Sequence, residues 1–457
     1  MSWAGRALPL AGTGAGAVLA VLAGCGVPTH GGHAHVATQV DQLTGRSLGP
    51  ASGSDKPILP DGVSLEDGLT QDEAVAIGLW NNAAFREVLA ELGFSRAELI
   101  HAGLLSNPVL SVLFPLGPKQ LEFAAKLPLE VLWLRPKRIA AAKLDADQVA
   151  ERLVQSGLDL IRDVRVAWVD ALLASKRVRL AEEGVRLADR IASLAEARLQ
   201  AGDVSEIEVT NTNLAALLAR GEARRIACDL ELAQQRLISL IGLGFFDVAL
   251  TLDDSSAATA AAFSVDVGRL MENGLTARPD LRAAELAIEG ARERVRLARR
   301  DFLALSGGVD ANEDGSEGFE IGPAMEVGIP MFNWNQDGVA RARAELNRSL
   351  LSYVTLRDRI ALEVKQAHAR LRAAEEQAEI WSHRAVPEIE EAVRRAEKAY
   401  VAGDVSVLLL LQMSEQLLEV RTRQIEAVAE VSRARAELER SVGCRLESSL
   451  ARTEPPP

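Results

Sequence analysis

The chain has 457 residues, 48% of them hydrophobic and only 4% aromatic, with 25% charged, three cysteines and a formal charge of -13. Abundant Ala, Leu, Arg and Glu point to long helices packed through small side chains, and the acidic balance excludes a general nucleic-acid binder, which would carry a basic face. Cys25, Cys228 and Cys444 make no CxxC pair and no zinc spacing, and no HExxH, GxSxG or Walker lysine loop occurs, so no catalytic centre is expected.

Residues 1–24 read as a signal peptide: Arg6 is followed by an apolar and small-residue run ending in Leu22-Ala23-Gly24-Cys25. Small residues before a cysteine resemble the lipobox of bacterial lipoproteins. That resemblance implies a covalent lipid on Cys25 and, with Gly26 next, delivery to the outer membrane. Residues 25–69 are rich in Gly, Pro, Ser and Thr and are expected to form an unstructured tether. His30, His33 and His35 lie in it without carboxylate or thiolate partners, which pre-organises no metal site.

A first unit spans 70–245. Thr70 and Glu73 form a capping box for helical sequence that continues to Leu105. Strands are expected near 106–116 and 119–133, where Leu121, Phe123, Ala125, Leu127, Leu129 and Val131 alternate against Glu122 and Lys126. From 136 to 200 the apolar residues Val154, Leu158, Ile161, Val164, Trp168 and Leu172 step by three and four, which makes a rod of roughly 95 Å. No stretch is long and apolar enough for a membrane helix. Ala201-Gly202-Asp203-Val204-Ser205 then turns the chain into a return helix over 205–241, which Ser205 and Glu208 cap.

After a linker at 246–264, a second unit at 265–445 repeats the order. Proline divides its first helical stretch at Arg278-Pro279-Asp280-Leu281-Arg282. Strands are expected near 305–313 and 317–332, where Phe319, Ile321, Pro323, Met325, Val327 and Ile329 alternate with Glu320, Gly322, Ala324, Glu326 and Gly328. A second rod covers 337–401, with Pro387 its one strong breaker. The turn Ala402-Gly403-Asp404-Val405-Ser406 lies 201 positions after the first, and its return helix covers 406–442. Ala195-Glu196 recurs as Ala396-Glu397, Leu217 as Leu418, Arg220 as Arg421, Leu237 as Leu438 and Gly242 as Gly443, so the chain reads as a tandem duplication. Residues 446–457 are expected to be a disordered tail. His101, His368 and His383 stand far apart on helices and read as surface or satisfied core residues.

Strands of about 9 to 11 residues suit a tilted membrane strand, but four of them cannot close a barrel, and an open edge in lipid leaves backbone groups unpaired. A sheet placed in a membrane therefore requires sister subunits.

Together the lipobox, the doubled helix-strand-hairpin order, Arg278-Pro279-Asp280-Leu281 and Gly328-Ile329-Pro330-Met331-Phe332 resemble the TolC-like outer membrane efflux family over about residues 65–445. Phe332-Asn333-Trp334-Asn335-Gln336 with Gly338-Val339-Ala340-Arg341-Ala342-Arg343 resembles the branch serving cobalt-zinc-cadmium-type exporters. The resemblance implies a mainly α chain with membrane β: long coiled-coil hairpins forming an α-barrel, and four strands per chain in a twelve-stranded barrel of a homotrimer. It implies passive conduction of metal ions or small toxic compounds, with a periplasmic adaptor and an inner-membrane pump of the RND type as partners, and no cofactor beyond the lipid. A type I protein-secretion channel and a non-conducting periplasmic coiled-coil lipoprotein are the alternatives.

The tips, Gly202 with Asp203 and Gly403 with Asp404, would then be the adaptor contact or the gate. Glu206 and Glu208 are placed to form acidic rings or, equally, to stabilise a helix N-terminus. The family often carries an acidic pair inside the second tip, but Leu409 and Gln412 stand there in this chain. That departure points to hydrophobic packing within Val407-Leu408-Leu409-Leu410-Leu411-Gln412.

Overall fold

The computed structural model describes residues 32–49, 58–60, 63, 68–114, 119–246, 250–254, 266–314 and 318–446. Cys25 and His30 lie outside them, as do most of the linker at 246–264 and the tail.

The stretch expected to be an unstructured tether holds a helix, α1 (His33–Thr44), so that reading is corrected. Its Val36 and Val40 are fully buried, Val40 lies over Gly157, and Gln39 Nε2 donates to Glu151 Oε1 at 3.0 Å. A glycine- and proline-rich composition concealed one apolar stripe, and tertiary burial rather than propensity holds the helix. Further on, the Asn81 side chain brackets the backbone of Ile58, accepting from its N–H at 2.8 Å and donating to its carbonyl at 2.9 Å. From the linker, Leu252 bridges to Leu69 as a parallel pair.

The capping box at Thr70 forms as expected and opens α2 (Gln71–Asn81). The single helix foreseen from Thr70 to Leu105 is instead three, with α3 (Ala83–Leu89) and α4 (Glu91–Gly103) following. The first break comes at Asn82, whose backbone is extended and whose side chain accepts from Phe85 N–H at 2.8 Å while donating to the Leu240 carbonyl at 2.7 Å; the second falls at Ala90.

Next come β1 (Val109–Leu113) and β2 (Lys119–Pro128). The second foreseen strand stops short because helix α5 (Val131–Ala201) begins where Val131 was expected to continue it. α5 runs 71 residues without a break, roughly 105 Å at 1.5 Å per residue. At its far end the chain reverses into α6 (Glu206–Leu240). The second unit gives α7 (Val267–Ala277), α8 (Pro279–Ala298), β3 (Ala304–Asp314) and β4 (Gly318–Gly328). Pro279 sits in the first turn of α8, where its missing N–H costs nothing. The second rod is α9 (Gln336–Ile380), a five-residue π-turn at Trp381–Ala385 and α10 (Val386–Ala402), and α11 (Val407–Val442) returns. Pro387 therefore does not stop the rod, which passes it through the π-turn.

The four strands form one antiparallel sheet in the order β1-β2-β3-β4, with β1 and β4 at its edges. Register places Glu122, Lys126, Asp310, Glu320 and Glu326 on one face. On the other are Phe123, Ala125, Leu127, Val309, Ala311, Ile321, Pro323, Met325 and Val327. Ile321 and Met325 of this apolar face are 71% and 74% exposed. Beneath the sheet the helices keep the same sequence of neighbours: α4 packs on α5, α5 on α8 and α8 on α9.

Two cores sit midway along the rods. One gathers Leu69, Val164, Trp168, Leu237 and Ile241, with Trp168 Nε1 donating to the Leu69 carbonyl at 2.9 Å. The other gathers Leu270, Leu281, Ile360, Val364 and Leu438. The return helices end at glycines with φ of +80°, Gly242 and Gly443. A side chain at Gly242 would meet the Asn81 carbonyl oxygen at 2.3 Å, and one at Gly443 would meet Arg278 Cγ at 3.0 Å.

Candidate functional site

Both tips are built the same way. Gly202 and Gly403 adopt φ of +81° and +85°, a left-handed region in which glycine alone carries no Cβ penalty. At the first, Gly202 N–H donates to Leu199 O and Asp203 N–H to Arg198 O, each at 2.9 Å; at the second, Gly403 N–H donates to Tyr400 O at 3.0 Å and Asp404 N–H to Ala399 O at 2.9 Å. This is the Schellman closure, which satisfies the last carbonyls of the descending helix and fixes the reversal. Asp203 and Asp404 are exposed at the apex.

The caps of the return helices differ. Ser205 Oγ accepts from Glu208 N–H at 3.4 Å, whereas the Ser406 side chain makes no capping bond. Glu206 is exposed, and Glu208 is half-buried with its Oε1 3.5 Å from the Tyr400 hydroxyl. The leucine run divides by helical phase: Val407 and Leu410 are buried with Ile191, Ala396 and Tyr400, while Leu409 and Gln412 are exposed.

Two residues that sequence reasoning missed hold the tips together. Tyr400 is fully buried, with the Arg198 guanidinium over its ring, 4.8 Å from the centroid. Arg198 Nη1 also donates to the Tyr400 carbonyl at 3.1 Å. Burial, then the Glu208 carboxylate, pushes the Tyr400 hydroxyl above the usual tyrosine value. The available signal was its rarity: the chain has two tyrosines, and this one replaces Leu199 of the first copy.

Above the tips the two hairpins are joined by an antiparallel row of ion pairs between α5 and α11. Arg440 meets Asp159 at 2.8 Å, Arg162 meets Glu437 at 3.0 Å, Arg433 meets Asp170 at 2.6 Å and Arg421 meets Glu183 at 2.7 Å, with Arg165–Glu439 and Arg177–Glu426 between them. Exposed pairs are individually weak, so the row acts through its number and register. At its upper end lies Arg278, nearly buried, which binds Asp280 and Glu363 at 2.6 Å each and donates to the Ser441 carbonyl at 3.3 Å. Burial opposes both charges, but the pairing wins: Arg278 is held above its usual value and Glu363 below.

Among the described residues no helix is long and apolar enough to cross a membrane, and no group of three or more His, Cys, Asp or Glu side chains is placed to hold a metal. Cys228 is exposed on α6.

The family model for outer membrane efflux proteins matches residues 120–243 and 270–444, which include three of the four strands and both hairpins. The chain belongs to the outer membrane efflux protein family. As a member of that family it is a transport component and not an enzyme. It is 21% identical to the cobalt-zinc-cadmium resistance protein CzcC of Cupriavidus metallidurans, over 82% of this chain and 90% of that protein. It is 26% identical to the pyoverdine export outer membrane protein OpmQ of Pseudomonas putida, over 64% of this chain and 63% of that one. Among solved structures, CusC superposes with a TM-score of 0.70 at 18% identity, over 87% of this chain and 99% of that chain. The outer-membrane channel OprN gives the same score and identity over 86% and 99%. VceC of Vibrio cholerae gives 0.67 at 15% over 82% and 96%. These likenesses establish the fold of this outer membrane efflux protein.

Proposed function

We propose that three copies of this chain join head to tail into a closed conduit through the outer membrane, anchored by an acyl chain on Cys25. The observation that carries the reading is the sheet: one charged face, one exposed apolar face and two open edges. An apolar face belongs against lipid and a charged face against water, and edges in lipid are tolerable only when a neighbour pairs with them. The helices carry the same message one layer down, since α4 and α9 stand at the outside of the row as β1 and β4 do. Both sides expose apolar residues: Phe94, Ile100 and Leu104 on one, Phe332, Leu351 and Val354 on the other. Pairing β1 and α4 of one copy with β4 and α9 of the next covers both sets. Three copies supply twelve strands and a helical tunnel continuous with them.

The tips, at the far end of the rods, close the tunnel and meet a periplasmic adaptor, through which an inner-membrane pump of the RND type delivers substrate. The likeness to CzcC supports metal cations as cargo, alongside small toxic compounds. The conduit conducts passively, and the pump supplies the work.

The test is reconstitution of the detergent-purified protein. A trimer by native mass spectrometry, with ion conductance in planar bilayers that rises when the tip clasp is cut by Arg198→Ala, is expected. A monomer that is soluble without detergent once Cys25→Ser removes the acyl site would overturn the proposal.

A further inference from the structure

The two rods are not equivalent along their length. In both units a valine of the rod packs against a glycine of the preceding short helix, Val164 on Gly78 and Val364 on Gly274. These valines are 200 positions apart, as are the buried pairs Leu160 and Ile360, Ala171 and Leu371, and Ala174 and Ala374. Nearer the tips the interval is 201, as between buried Ala195 and Ala396 and between Gly202 and Gly403. The second rod has therefore gained one residue between Ala374 and Ala396. In that interval lies the π-turn at Trp381–Ala385, with Val386 N–H bonded to Trp381 O, five residues back. A π-turn is what one inserted residue makes of an α-helix, and such turns are rare and recur at functional sites. Pro387 lacks an N–H and so removes one donor from the ladder beside this turn, which weakens it here.

Contacts across the hairpins change character at the same level. At the turn, the Arg423 guanidinium lies 5.7 Å from the Trp381 ring centroid and Gln424 Nε2 donates to Ser382 Oγ at 3.4 Å. Just below, Arg421 ties Glu183 and Glu390 together at 2.7 and 2.8 Å, and Leu418 presses on Gly184 so closely that a Cβ there would meet it at 2.9 Å. Between this level and the tip the hairpins share only the Arg190–Glu397 pair at 3.7 Å, the clasp at Tyr400 and its small apolar cluster among the contacts described.

We propose that the π-turn at Trp381–Ala385 is the pivot of the gate, about which residues 386–420 move as one lever while α5, α6 and the rod above Ile380 stay fixed. The inserted residue keeps Tyr400 packed on Ile191 and sets the bend of the descending rod at the π-turn, with the unbroken α11 flexing beside it. The inference rests on the conduit reading, yet its test does not depend on conduction.

The experiment is hydrogen exchange on the full detergent-solubilised protein, native against Tyr400→Ala, with Arg198→Ala as the second variant should the first fold poorly. Cutting the clasp is expected to speed exchange about tenfold or more at the amides of 382–388, where the ladder opens as the lever swings, with little change inside 390–397, 336–376 or 131–190. Faster exchange confined to the last turn around residue 400, or spreading evenly through 386–420 or past 381 into α9, overturns the pivot. Conductance of the same samples judges the conduit separately: faster exchange centred on the turn without current leaves the pivot standing and removes the channel.

Discussion

Arg198 grips Tyr400 twice, from above the ring at 4.8 Å and at the main-chain carbonyl at 3.1 Å, and so pins the end of the second descending helix to the end of the first. A cation over an aromatic face contributes about 0.5 to 2 kcal/mol according to how dry it is. Removing the ring, with Ile191 and Leu410 left facing a hole, costs about 3 to 5 kcal/mol in a well-packed site. Tyr400→Ala and Arg198→Ala should therefore open the tip, raising single-channel conductance in bilayers. Tyr400→Phe should stay near the native current, because the hydroxyl loses only a long contact to Glu208 at 3.5 Å.

Arg278 is the corresponding node at the other end of the rods. Arg278→Ala takes the shared cation from Asp280 and Glu363, leaving Glu363 to Arg359 and Arg440 but Asp280 without this partner, and breaking a buried pair in this way costs up to about 3 to 5 kcal/mol. The expected result is a lower thermal midpoint with the tip clasp intact. The Glu363 carboxyl is held below its usual value because Arg278, Arg440 and Arg359 together outweigh burial. A carboxyl depressed in the folded state stabilises it above the unfolded value and ceases to do so as pH falls through the lower folded one. Acid unfolding should thus begin below about pH 4.5, and Glu363→Gln should flatten the acid limb of a melting-temperature profile while lowering stability at neutral pH.

Periodicity made the rods, the strands and the tips legible, because a face repeating every 3.6 or every 2 residues is a local property. The capping box at Thr70 and the proline opening at Arg278-Pro279 were equally local and formed as expected. What the sequence hid was set by distant partners. Helix α1 exists because Val36 and Val40 are buried in the first core, Val40 against Gly157, and the break at Asn82 exists because its side chain reaches Leu240. In the candidate site the tip glycines could be read, since a positive φ demands them. The clasp could not, because Arg198 and Tyr400 come together from positions 202 residues apart.

Two glycines separate backbone strain from lack of room. Gly202 and Gly242 share a positive φ, but a Cβ at Gly202 meets nothing within 4 Å while one at Gly242 strikes the Asn81 carbonyl oxygen at 2.3 Å. Gly202→Ala should cost only the left-handed penalty, about 1 to 2 kcal/mol and local to an exposed tip. Gly242→Ala must in addition push α2 off the first core, so the full-length protein should melt well below the Gly202→Ala variant. Equal midpoints would mean that the contact at Asn81 yields without cost.

The sheet's charged face gives the last prediction. Lys126 reaches across β3 to Glu326 at 2.7 Å, passing Gly308, its own partner in β3, which has no side chain to stand between them. Glu122, Asp310 and Glu320 share that face, so Lys126 stands among four carboxylates along the middle of the sheet. In the proposed trimeric conduit, an acidic lining repeated three times attracts cations and repels anions, and rings of like charge set the sign of selectivity in pores. Lys126→Gln should strengthen cation preference and Glu326→Gln weaken it, read as opposite shifts of the reversal potential in a potassium chloride gradient. The shifts should shrink as salt rises toward 1 M, where the screening length falls to about 3 Å and each ring acts only on ions that touch it. Shifts of the same sign for both substitutions would place the charged face outside the conducting path.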